Sequence, residues 1–143
     1  MTRGRWYMNG RMRGKTEEIE RFVEELSEMA PSSLDEYRSD RKSKAACERY
    51  FEKIVEAIVD LAFLYIKDRG LSVPEEDKQA FDIMGSAGHI DRDLARRLKE
   101  AKGMRNILAH EYGQVDDDLV FAAITEEISR DALAFVEELR KRG

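Results

Sequence analysis

From Cys47 to Tyr65 the apolar residues Cys47, Phe51, Ile54, Ile58, Leu61 and Tyr65 recur at steps of three or four, the repeat of one face of an α-helix. The pattern begins near Ser33 or Leu34 and continues to about Arg69, where Gly70 offers a natural stop. A stripe of this length commits the chain to a long helix and to neighbours that cover its apolar face. The opening part, Asp35 to Lys44, is almost wholly polar, so a bend or a projection beyond the core is expected there.

Four further segments carry the same period. One runs from about Thr16 to Met29 through Ile19, Phe22, Val23 and Leu26, and Pro31 and Ser32 end it. A short one starts at Pro74 with Glu75, Glu76 and Asp77 in its first turn and ends near Met84, before the loop of Gly85, Ser86, Ala87 and Gly88. The next opens at Asp91 and passes through Leu94, Leu98, Ala101, Met104 and Leu108 to Tyr112. The last follows Asp116, Asp117 and Asp118, carries Phe121, Ile124, Ile128, Ala132, Phe135 and Leu139, and closes on Arg140, Lys141 and Arg142. No segment alternates with period two, and two prolines and nine glycines are too few for many tight turns. The expected fold is all-α: an up-and-down bundle of four main helices plus one short helix. A long two-helix coiled coil is the weaker alternative, because no strict heptad is sustained.

At 143 residues the chain is sized for one domain, and 42% hydrophobic with 38% charged residues excludes a disordered tail. The single cysteine, Cys47, allows no intramolecular disulfide and no thiolate zinc site, as in a reducing compartment. The longest apolar run, Leu61 to Ile66, falls far short of the roughly 18 residues a membrane span needs, and no export signal is visible. The cytoplasm is the expected location, with no membrane partner. The net charge of −5 is uneven: residues 1–15 carry five bases and no acid, leaving 20 bases against 30 acids in the remainder. An acidic body excludes a surface that grips nucleic acid by charge alone, so any RNA contact is local. Residues 1–14, rich in Arg and Gly and containing Trp6, read as a mobile basic arm, either RNA-contacting or an extension of the domain at 15–143.

The chain has no phosphate-binding glycine loop, dinucleotide fingerprint, paired-histidine zinc helix or calcium loop. Its two histidines rule out a histidine-rich metal centre. His89, beside Gly88, reads as a solvated loop residue. His110 differs, because Arg105, Asn106, His110 and Tyr112 fall within eight positions at a helix end. Asn106 and His110 are four apart and share a face, whereas Arg105 and His110 diverge by about 140° around the axis. Convergence on one phosphate therefore needs a loosened helix end or a second copy of the chain across a symmetric interface. An imidazole that takes a proton from a ribose 2′-hydroxyl and a guanidinium that stabilises the attacked phosphate are what metal-free RNA cleavage requires. A helix terminus with His110 on the dipole and Arg105 paired to an acid is the other reading of the same residues.

The spacing Arg105, four residues, His110, one residue, Tyr112 resembles the Arg-x4-His-x-Tyr motif of the HEPN superfamily, specifically the HepT-like ribonuclease toxins of HepT/MNT toxin-antitoxin pairs. The order of the long helix with Tyr50 to Ile58, the Pro74 helix and the acidic start of the last helix extends the resemblance over roughly residues 16–140. It implies a HEPN-like bundle forming a two-fold homodimer with a shared cleft. There His110 would transfer protons, Arg105 would stabilise the phosphate and Asn106 would line the cleft, in metal-independent endoribonuclease cleavage of tRNA or mRNA. It also implies a nucleotidyltransferase antitoxin of the MNT type that transfers AMP from ATP to Tyr112. ATP would then be the antitoxin's cosubstrate, and this chain would carry no cofactor and no metal. A non-catalytic HEPN scaffold that binds nucleotide or the nucleotidyltransferase is the alternative.

Overall fold

The computed structural model describes residues 9–110 and 116–142. Every regular element among them is helical, in the order α1 Gly10–Met29, α2 Leu34–Ser39, α3 Arg41–Asp68, α4 Asp77–Ser86, α5 Arg92–His110, α6 Asp117–Ala122, a π-helical turn Ala123–Glu127 and α7 Ile128–Lys141. None of these helices is long and apolar enough to cross a membrane.

α3 is the central element. Its predicted stripe is buried along its whole length, with Cys47, Phe51, Ile54, Ile58, Leu61 and Tyr65 all at or below 1% exposure. α1 lies antiparallel against it: Asn9 Nδ2 donates to Asp68 Oδ1 at one end, and Tyr50 Oη donates to Glu25 Oε1 further along. α4 and α5 cover another side of α3, and α7 closes the bundle, where Phe135 meets Phe81 edge to face at 6.1 Å.

The boundaries differ from the sequence reading in four places. α1 starts at Gly10 instead of Thr16, so residues 10–14 are helix and not arm. Asn9 caps it by accepting from the Met12 N–H, and Met12 is fully buried on the face that continues through Ile19. One apolar residue among Arg and Gly is too little to show a period. Residues 1–8, including Trp6, lie outside the described residues.

The long second pattern is two helices. Asp40 leaves helical geometry at φ −105° and ψ 94°, and its carboxylate accepts from the Ser43 N–H to cap α3. The polar run from Asp35 to Lys44 gives a continuous helix little to bury, apart from Tyr37. The Tyr37 hydroxyl donates to Glu48, and burial together with that carboxylate pushes its pKa well above the phenol range.

α4 begins at Asp77, after Pro74, and runs on to Ser86. In the last helix the Thr125 hydroxyl donates to the Phe121 carbonyl at 2.7 Å, and the backbone widens into a π turn between α6 and α7.

α5 positions the site. Its first half is anchored by Leu94, Ala95 and Leu98 in the core and by Arg97 Nε donating to the buried Asp131 of α7 at 2.9 Å. From Ala101 onward no residue is fully buried, and Ile107 is 51% exposed. The C-terminal half, with Arg105, Asn106 and His110, thus lies at the edge of the core, packed on it only through the half-buried Ala101, Met104 and Leu108.

Candidate active site

Arg105 turns from α5 towards α3. Its Nη2 donates to Glu56 Oε2 at 2.7 Å, and its Nη1 reaches the Asn106 side-chain oxygen at 3.5 Å. The Arg105 side chain is 22% exposed and Glu56 39%, so the pair is partly desolvated and stronger than a surface ion pair of the same length. Arg49 Nη1 lies 3.9 Å from the same Glu56 oxygen, adding a second positive charge around it. Arg105 Nε is buried with no hydrogen-bond partner among the described residues. The guanidinium therefore keeps unmet donor capacity beside its one carboxylate.

Of the residues singled out by sequence, the fold brings Arg105 and Asn106 into contact. His110 is the last residue of α5 and is exposed. Arg105 thus faces the α3 side of the site, while His110 ends the helix five residues further on. Tyr112 lies outside the described residues. His89, read as a solvated loop residue, is instead half-buried and bonded: its Nδ1 is 2.6 Å from the Tyr65 hydroxyl, with the rings edge to face.

Glu56 is the member that sequence reasoning missed. It sits in the quoted segment of the long helix, but nothing in a run of alternating charges marks which acid will meet an arginine far along the chain. Beside the pair is a cavity of about 400 Å³ lined by Glu56, Asp60, Phe63, Asp77, Lys102 and Arg105 among others. Lys102, with only 12% of its side chain exposed, is tied to Asp77 at 3.0 Å. Among the described residues, no group of three or more His, Cys, Asp or Glu is arranged to hold a metal ion. Chemically, the arrangement offers a fixed guanidinium at a cavity wall and an exposed imidazole one turn and a half along the same helix.

Residues 15–139 match the HepT-like family, described as ribonuclease HepT-like. The chain belongs to the HepT-like ribonuclease family. An Archaeoglobus fulgidus protein provisionally named an RNase is 30% identical over 123 residues, covering 84% of this chain and 91% of that protein. The tRNA nuclease HepT of Aphanizomenon flos-aquae is 31% identical over 116 residues, covering 78% of this chain and 76% of its own. In three dimensions the chain resembles the tri-AMPylated Shewanella oneidensis HEPN toxin in complex with MNT antitoxin, with a TM-score of 0.85 at 20% identity over 92% of this chain and 98% of that one. The HepT-like fold expected from the sequence is thus the fold observed, and ribonuclease is the enzyme class of the family.

Proposed function

We propose that this HepT-like chain is the toxin of a toxin-antitoxin pair, a metal-independent endoribonuclease that works as a two-fold homodimer in the cytoplasm. The observation that carries the reading is Arg105, held by Glu56 at 2.7 Å on the same half-helix as His110. Because the two side chains leave that helix in different directions, a second copy related by a two-fold axis would complete the cleft with its own motif residues. His110 then removes the 2′-hydroxyl proton, the 2′-oxygen attacks the adjacent phosphorus, and the bond to the 5′-oxygen breaks, leaving a 2′,3′-cyclic phosphate and a 5′-hydroxyl that takes its proton from water, while the Arg105 guanidinium stabilises the charge that develops. Asn106, beside Arg105, keeps the fork aimed. The substrate is RNA, with tRNA favoured by the named activity of the Aphanizomenon relative.

The same reading assigns Tyr112 as the target of an MNT-type nucleotidyltransferase antitoxin, which draws AMP from ATP. Adenylates there would add bulk and negative charge close to Arg105 and His110 and repel RNA. The likeness to an AMPylated HEPN toxin bound to MNT antitoxin supports this assignment.

The test is cleavage of labelled total RNA in EDTA by protein whose intact mass shows no modification, set against His110→Ala. Cleavage by the wild type and none by the variant is the expected result. If the unmodified protein cuts nothing, the scaffold reading replaces this one. A second prediction concerns regulation: Tyr112→Phe should keep ribonuclease activity and take up no AMP from the cognate transferase. AMP incorporation into that variant's 112-containing peptide would remove Tyr112 from the scheme.

A further inference from the structure

The 400 Å³ cavity that Arg105 and Glu56 line also holds residues that the cleavage chemistry does not use. Its two cations are already committed to carboxylates, Arg105 to Glu56 and Lys102 to Asp77. Its third carboxylate, Asp60, has its recorded ion pair on the outside, a long one of 3.5 Å to Lys15, and 62% of its side chain is exposed. Phe63, three residues further along α3, is half-buried and lines the same cavity. Asp60 and Phe63 also form the shared wall of a larger neighbouring cavity of about 1140 Å³, which holds Arg11, Lys15 and Lys67. Phe63, half-buried against the core, and Asp60, held only by its long pair to Lys15, thus share one wall between the proposed phosphate-stabilising arginine and a second group of cations.

We propose that this cavity is a base-recognition subsite for single-stranded RNA, with Phe63 stacking on the nucleotide next to the cut and Asp60 reading its edge. The inference rests on the ribonuclease reading above and adds to it a sequence preference. Single-stranded RNA is recognised by stacking unpaired bases on aromatic rings and hydrogen-bonding their Watson–Crick edges. A carboxylate is an acceptor pair, and guanine is the RNA base that offers two adjacent N–H donors, N1–H and N2–H, to match it. Uracil presents one donor flanked by carbonyl oxygens, which a carboxylate repels. The preferred occupant is therefore guanine. The volume lies within the range of small-ligand pockets, and Lys67 in the adjoining cavity provides a contact for the phosphate of the following nucleotide, Lys15 being held by Glu18 at 2.8 Å.

The experiment is cleavage of a randomised single-stranded RNA library by the full-length, unmodified protein, with the cut sites sequenced, for wild type, Asp60→Asn, Phe63→Leu, Phe63→Trp and His110→Ala. The wild type should show guanine enriched at one fixed position next to the cut. Asp60→Asn, which can donate as well as accept, should reduce that enrichment about tenfold while cutting continues. Phe63→Leu keeps apolar bulk without a π face, and kcat/KM should fall about tenfold on all sequences, with Phe63→Trp restoring it. Unchanged enrichment in Asp60→Asn, or no fixed-position enrichment in the wild type, overturns the subsite while the difference between wild type and His110→Ala leaves the ribonuclease reading standing. A wild type that cuts no better than His110→Ala overturns both.

Discussion

Glu56 and Arg105 are 49 positions apart in the chain and 2.7 Å apart in the fold. The carboxylate holds one arm of the guanidinium, and Asn106 lies against another. This restricts a side chain that would otherwise sample many rotamers, and an arginine already aimed stabilises developing charge without reorganising. Glu56→Ala should therefore lower kcat of RNA cleavage by about tenfold with little change in KM, whereas Glu56→Gln keeps a neutral acceptor and most of the rate. Steady-state kinetics on one defined oligonucleotide would decide it. Equal loss in both variants would mean that charge, and not the hydrogen bond, is what Arg105 needs. Glu56 was not legible in the sequence because Glu48, Glu52 and Asp60 on the same helix carry the same charge, and only packing selects which of them faces α5.

At the scale of elements, the site depends on α5 being anchored at one end and released at the other. Leu94 and Leu98 fix the first half, and Asp131, 3% exposed, holds Arg97 of α5 and Arg130 of its own helix. Asp131→Ala would leave the Arg97 guanidinium without its acceptor on α7, with Asp93 of its own helix as the remaining one. A loss of about 2 to 3 kcal/mol is expected in urea unfolding, below the roughly 3 to 5 kcal/mol for breaking a fully buried pair because Arg97 retains solvent contact. An unchanged midpoint would show that Asp93, which also accepts from Arg97, suffices by itself. The helices themselves were legible: the stripes on α3 and α7 are buried as the period requires. Their ends were less so. The start of α1 rests on buried Met12 and the Asn9 cap, and the break at Asp40 arises because the polar run has little to bury as one continuous helix and instead turns at Asp40 to lie over α6, where Arg38 meets Asp118 at 2.6 Å.

Across the whole molecule, one cluster ties the end of α3 to the loop after α4 and to the C-terminal residues of the described chain. Tyr65 and His89 are bonded at 2.6 Å, with Arg69 over the Tyr65 ring. Burial first, and then Arg142 and Arg69, lower the His89 pKa from its ordinary 6.5. With its proton on Nε2 the neutral imidazole accepts from the Tyr65 hydroxyl, and a second ring proton on Nδ1 would face that hydroxyl amid two cations. A histidine held neutral in the fold contributes stability fully above its unfolded pKa, and that contribution is lost as pH falls below about 6.5 towards the lowered folded value. The urea midpoint should thus decline over that window, and His89→Gln, which can still accept from Tyr65, should flatten the decline. Identical slopes for the two proteins would assign the acid sensitivity to other groups.

Local physics settled much of this protein in advance. Spacing of apolar residues at three and four determined an all-helical bundle, and the short motif around Arg105 and His110 led to the HepT-like family, because periodicity and motif are both properties of neighbouring positions. Tertiary structure alone decided that Glu56 holds Arg105, that Met12 lengthens α1, that His89 bonds to Tyr65, and that Asp60 and Phe63 border a cavity next to the motif arginine. Each of these joins residues from different helices or anchors one helix end on the core. Which surface meets which depends on how whole helices pack, and that summed burial is not written in any single stretch of sequence.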